Sequence, residues 1–158
     1  LHSPLVYLDG GAPIAEMRRL ARECFRVKPT VHHYLGLAKQ LWHQAGAGDA
    51  LNGKKVLYVL RATLCARWAL THRTPPPVAF AGLPPLVTGT SLRAEIDHFA
   101  TLNQQALEPD TLPVSETLRH YLATTREACE AEQASLTTEP VDMEPLDGFF
   151  VRTVAATS

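Results

Sequence analysis

Lys54, Tyr58, Arg61, Cys65, Trp68 and His72 follow one another at alternating steps of four and three residues. At about 100° per residue of α-helix, that spacing holds all six within roughly 40° of one line. The stripe would carry two cations, two aromatic rings, a thiol and an imidazole on an otherwise apolar helix. Arg61 offers a planar fork for phosphate, Tyr58 and Trp68 can stack a base, and His72 can transfer a proton near neutral pH. These types in this pattern predict a face for a phosphate-bearing ligand. The competing reading is a core helix whose polar tips merely reach the surface.

Just before the stripe, Gly48-Asp49-Ala50-Leu51-Asn52-Gly53-Lys54-Lys55 nearly matches the phosphate loop of nucleotide triphosphatases. The match fails because Lys55 stands where a hydroxyl must hold magnesium, and the preceding segment has helical rather than strand character. Lys54 and Lys55 still sit in the first turn of a helix, where the macrodipole disfavours cations. A bound phosphate would offset that cost. Metal ligation is weaker elsewhere. His32 and His33 diverge on a helix and so do not converge with His43, while Glu95 and Asp97 beside His98 are equally explained by an Arg93–Asp97 pair on a solvated face. Glu127, Glu130 and Glu132 read as solvated surface, and the sequence leaves any metal ligands unknown.

The elements that must position these groups are helices joined by proline-rich corners. Leu5 to Leu8 reads as a short extended stretch. Pro13 opens a helix with Ile14, Met17, Ala21, Cys24 and Phe25 inward and Arg18, Arg19, Arg22 and Arg26 outward, closed by Pro29. Thr30 caps a second helix, with Val31, Tyr34, Leu35, Ala38, Leu41, Trp42 and Ala45 on one side and Gly46 at its end. Gly53 to His72 is apolar nearly all round and predicts the buried central helix. Thr74 to Pro85 holds five prolines and forms a structured corner. A fourth helix is expected over about Ser91 to Leu107, with Leu92, Ile96, Phe99, Asn103 and Ala106 on one side. Ser115 opens a fifth, carrying Leu118, Leu122, Thr125, Cys129 and Leu136 inward. Glu139 to Pro145 is a loop, and Leu146, Phe149, Phe150 and Val154 make a closing amphipathic helix. No run of alternating strands and no internal repeat appears. The reading is an all-α bundle of five to six helices in a single helical domain over residues 1–158.

With 158 residues, 46% hydrophobic and 20% charged, the chain can bury a sizeable core. No apolar run approaches the roughly 20 residues of a membrane span, so no membrane partner is expected. Cys24, Cys65 and Cys129 are widely spaced and odd in number, which argues for core thiols in a reducing, cytoplasmic setting over disulfides. Leu1-His2-Ser3-Pro4 carries neither an initiator Met nor a signal pattern and reads as part of a longer chain. Charge divides sharply: residues 1–73 carry a net +7 and residues 74–158 a net −8, with five of the seven histidines in the basic half. Such asymmetry suggests a side that faces a polyanion, unless the halves neutralise each other on packing.

Several residues also carry a resemblance. Leu1-His2-Ser3-Pro4-Leu5-Val6-Tyr7, His33-Tyr34-Leu35 with Ala38-Lys39, Lys54-Lys55-Val56-Leu57-Tyr58-Val59-Leu60-Arg61, Arg67-Trp68, and Pro75-Pro76-Pro77 before Phe80 and Leu83 occur in this order. The chain resembles the carboxy-terminal helical part of the DNA-polymerase-β-like nucleotidyltransferases associated with RNA repair. The resemblance covers the chain to about Glu108; beyond it only amphipathic helices match. It implies that the catalytic half, a Gly-Ser turn and spaced carboxylates holding Mg²⁺ or Mn²⁺, lies upstream. Gly89-Thr90-Ser91 with Glu95 and Asp97 imitates that motif at too short an interval. It also implies a partner nucleotidyltransferase domain, a nucleic acid or nucleotide as ligand, and no cofactor bound by this piece. Lys54, Tyr58 and Arg61 carry over as ligand-binding, with Lys55 and Trp68 beside them.

Helical partners of minimal nucleotidyltransferases are often similar to HEPN domains, whose nuclease members carry an arginine and a histidine four to six residues apart. Arg67 and His72 fit that pattern, as do Arg93 with His98 and Arg26 with His32 or His33. Arg67 and His72 lie about 140° apart on an ideal helix, so they would converge only at a helix end or across a dimer. A metal-dependent nuclease using Arg67 and His72 is therefore one alternative, and a purely structural or dimerisation bundle, including a homodimer, is the other.

Overall fold

A computed structural model describes residues 12–46, 50–83, 86–104, 111–138 and 140–155. The expected Leu5–Leu8 stretch lies outside these residues, as do the Asn103 side chain and Ala106. In chain order the elements are α1 (Ala12–Glu23), α2 (Val27–Ala45), β1 (Ala50–Leu51), α3 (Gly53–His72), α4 (Thr90–Gln104), β2 (Leu112–Pro113), α5 (Glu116–Ala134) and α6 (Glu144–Ala155). The class is all-α, as the periodicity predicts. One short antiparallel pairing, Ala50 with Pro113 and Leu51 with Leu112, ties the α2–α3 connection to the segment before α5.

Local chemistry explains most helix ends. Gly46 takes φ 114° at the end of α2, a conformation open to glycine at little cost. The Asn52 side chain accepts a hydrogen bond from the Lys55 amide at 2.9 Å and caps α3. Ser115 does the same for α5 through the Leu118 amide at 3.1 Å. Glu95 in turn accepts from the Ser115 amide at 3.0 Å and from its hydroxyl, so this carboxylate serves the α4–α5 joint. The first joint departs from expectation. α1 ends at Glu23 and α2 begins at Val27, so Pro29 lies in the first turn of α2 instead of closing α1. A first-turn amide has no helical acceptor, so proline loses nothing there. Thr30 is consequently inside α2, its hydroxyl donating to the Arg26 carbonyl at 2.7 Å.

α2 and α3 pack against each other, α5 packs against both, and α4 contacts α3 and α5. Val56, Val59, Leu60 and Leu64 of α3 are fully buried among Ile96, Leu118 and Leu122. At roughly 1.5–3 kcal/mol for each large side chain withdrawn from water, α3 is the chief source of stability. A second cluster joins Val31 and Leu35 to Ala66, Ala69, Leu70 and Cys129. On α1 the deepest residue is Leu20, which is 1% exposed and absent from the expected stripe. α6 rests on α1, with Arg152 donating to Glu16 at 2.8 Å. Its expected inward set is split: Leu146 and Phe149 are half-buried, whereas Phe150 is 67% exposed.

Thr63 is the one buried polar residue among the described residues, and its hydroxyl has no hydrogen-bond partner. A valine of similar shape removes that desolvation cost. Thr63→Val should therefore stabilise the fold by about 1 kcal/mol, read as a higher urea midpoint at unchanged slope.

Candidate nucleic-acid interface

α3 is continuous from Gly53 to His72, so the predicted stripe does run along one side of one helix. What covers it varies along its length. Lys54 is exposed and Tyr58 is 43% exposed. Arg61 is half-buried, and its Nη2 donates to the Pro77 carbonyl of the proline corner at 3.4 Å. Cys65, at 0% exposure, is closed off, which corrects its place in a ligand-facing set. Tyr34 of α2 packs against the core cluster that holds Cys65 and neighbours its thiol. Trp68 is half-buried and His72 exposed. The stripe is thus open at both ends and pinched at its centre by Tyr34.

Electrostatics follow the covering. Burial pushes the Cys65 thiol up, against the pull of the Arg61 guanidinium and the Tyr34 hydrogen bond. Burial also raises the Tyr34 hydroxyl, and the neighbouring Cys65 adds to that, with Arg61 again opposing. Neither group is a ready nucleophile, because the anion each would need is the form that burial disfavours. Arg61 therefore lends its charge outward to the surface rather than to an internal anion.

The aromatic end has its own geometry. The Trp68 and His72 rings are stacked, with centroids 3.9 Å apart and planes 18° from parallel. Trp68 Nε1 donates to Thr74 Oγ1 at 3.2 Å. His72 occupies one face of the indole, so a base cannot stack there without displacing the imidazole. Tyr58 is the ring left open.

The remaining sequence candidates disperse. Lys55 turns away from the stripe, its Nζ donating to Gln44 Oε1 of α2 at 2.6 Å. The α3 N-terminus is already capped by Asn52, so the lysines there do not require a bound phosphate to explain them. Arg67 faces α5, where its Nη1 lies 3.3 Å from Glu132 Oε2. His72 stacks on Trp68. Burial raises the Cys129 thiol to about 11 despite the opposing Arg67 charge. Arg93 pairs with Asp97 at 3.1 Å, as the spacing suggests.

Among the described residues no group of three or more His, Cys, Asp or Glu is gathered closely enough to hold a metal ion. Glu95 accepts from the Ser115 amide and Asp97 pairs with Arg93. Among the described residues, Glu132 of the second half pairs with Arg67 and Arg73 of the first, and Arg152 of the second with Glu16 of the first. No helix among the described residues is long and apolar enough to cross a membrane.

Comparison with known proteins adds to this geometry. A family model described as RlaP, the RNA repair pathway DNA polymerase beta family, matches residues 1–152. That span runs well beyond Glu108, where the motif-level resemblance stops. The chain is 28% identical over 144 residues to the uncharacterized protein YcgL of Bacillus subtilis (strain 168), covering 90% of this chain and 55% of the relative. It therefore spans about half the length of that relative. No solved structure matches the chain.

Proposed function

Because the chain belongs to the RNA repair pathway DNA polymerase beta family, we propose that it is the helical, nucleic-acid-binding part of a polymerase-β-type nucleotidyltransferase. The exposed edge of α3 guides a strand toward a transferase centre held elsewhere in a longer protein. The transfer chemistry, with its Mg²⁺ or Mn²⁺, belongs to that other part. The relative's greater length is consistent with this division.

The observation that carries the reading is the setting of Arg61. It lies on the exposed edge between Tyr58 and the proline corner, its hydrogen bond goes to a neutral carbonyl, and no carboxylate among the described residues pairs with it. A guanidinium held in place and left uncancelled is suited to a phosphate oxygen. Lys54 extends the charge toward one end, and Tyr58 supplies a ring on which a base can stack.

The test is direct. A labelled single-stranded RNA should bind the full chain with affinity that falls as salt rises. If Lys54 and Arg61 each contact a phosphate, the log–log slope is about −1.4, at roughly −0.7 for each phosphate on a single strand. A parallel single-stranded DNA titration reads the sugar preference. Binding that is absent, or insensitive to salt, overturns the proposal.

A further inference from the structure

A second basic site lies at the far end of the α2–α3 pair, where three segments distant in sequence meet. A cleft of about 340 Å³ is lined by Phe25 and Arg26 from the α1–α2 joint, Lys28 from the first turn of α2, Arg73 after α3, and Thr137 and Thr138 after α5. That size is at the lower end of the range for small-molecule sites, about 300–1,000 Å³.

Two of the three cations, Lys28 and Arg26, are held in place by neutral carbonyls. Lys28 Nζ donates to the Leu136 carbonyl at 2.7 Å. Arg26 donates to the carbonyls of Glu23 at 2.7 Å, Phe25 at 3.0 Å and Pro140 at 3.3 Å. Its Nε is buried and has no partner at all. Arg73 adopts φ 55°, a left-handed conformation uncommon for a residue with a Cβ, which turns the chain out of α3 at this point. Among the described residues, Glu132 is the one carboxylate within ion-pair range of these three cations, 4.0 Å from Arg73. Carbonyls orient the charges without neutralising them, so a positive potential remains in a concave site. α2 starts at this cleft with no side-chain cap and no acidic residue in its first turn, so the helix dipole adds to the same sign.

We propose that this cleft binds a phosphate monoester, the dianionic phosphoryl group being taken by Arg26, Lys28 and Arg73, with the Thr137 and Thr138 hydroxyls as further donors and Phe25 as an apolar wall for the attached sugar or base. A phosphoryl group carrying close to two negative charges and three acceptor oxygens matches three cations facing one weak counter-charge. The proposal is independent of the α3 edge, since it shares no residue with that site.

Isothermal titration of the full chain with AMP and with adenosine tests it. AMP should bind, adenosine should bind at least tenfold more weakly, and inorganic phosphate should compete with AMP. Lys28→Met keeps the side-chain stem, and Arg73→Asn keeps a residue tolerant of the left-handed conformation. Either should reduce AMP affinity about tenfold while leaving the circular dichroism spectrum unchanged. The source of the phosphate is read by comparing a 5′-phosphorylated with a 5′-hydroxyl oligoribonucleotide. Preference for the phosphorylated over the hydroxyl strand marks a strand end, and equal affinity for the two strands, with AMP still bound, marks a free nucleotide. Equal affinity for AMP and adenosine, or AMP binding unaltered in both variants, overturns the proposal. Salt-dependent RNA binding that survives both substitutions bears on the α3 edge alone, so the two sites can fail separately.

Discussion

Replacing Lys54 and Arg61 together by alanine should weaken single-stranded RNA binding by tenfold or more and shallow the salt slope by about 1.4. The slope change follows from losing two phosphate contacts at roughly 0.7 each on a single strand. Hydrogen bonds to charged groups contribute about 1.5–3 kcal/mol, and about 1.4 kcal/mol is a factor of ten. The lower part of that range applies because Lys54 is exposed and Arg61 only half-buried. Fluorescence anisotropy across a salt series measures both quantities. The fold should persist, since neither side chain belongs to the buried core and the Pro77 carbonyl released from Arg61 sits at a corner that water can reach. Arg61→Lys separates charge from shape: it should retain most of the slope while losing the forked contact. An unchanged affinity and slope in the double variant would place the strand on another face.

The second large effect concerns stability. Leu64→Ala should cost about 3–5 kcal/mol, measured by urea unfolding. Leu64 is fully buried on α3 within the larger core cluster, whose other members come from α2, α4, α5 and the segment after the proline corner. Truncation removes the transfer energy of the lost methyl groups and leaves a cavity whose walls belong to several elements, which limits collapse into it. Domains of this kind are stable by only about 5–15 kcal/mol, so the loss takes a large part of the total. A cost below about 1 kcal/mol would mean that α3 is not the central element. The contrast with Thr63, one residue away on the same helix, is informative. Both are buried, yet deleting the Thr63 hydroxyl should stabilise and deleting Leu64 carbons should destabilise, because only the hydroxyl is buried without a partner.

Family membership and the α3 edge bear on different questions. The family match assigns the chain to proteins described by an RNA repair pathway and a polymerase-β relationship. It says nothing of which side chains touch a ligand. That depends on the uncancelled charge of Arg61 and the open ring of Tyr58, and the double variant tests it. Arg67 pairs with Glu132 of α5, and His72 stacks on Trp68.

The helices and several of their ends were written into local sequence. Asn52 before Gly53, Ser115 before Glu116 and Gly46 after Ala45 act through contacts a few residues long, so spacing and residue type were enough to place α3 and α5 and to end α2. The all-round apolar character of residues 53–72 likewise marked the central helix, since no amphipathic position could bury it. Pro29 misled because a proline can either stop one helix or sit in the first turn of the next, and only the packing of α2 selects between them. Tertiary structure alone decided which stripe residues meet solvent. Helical phase put Cys65 in line with Arg61 and His72, but Tyr34 arrives from another helix to cover it. The basic cleft was still less legible, because it depends on contacts such as that of Lys28 with the Leu136 carbonyl, across more than a hundred residues of chain. Periodicity records the direction of a side chain about its own helix axis. Whether that direction ends in solvent, in a neighbour or in a shared cleft is set by the crossing of elements far apart in sequence.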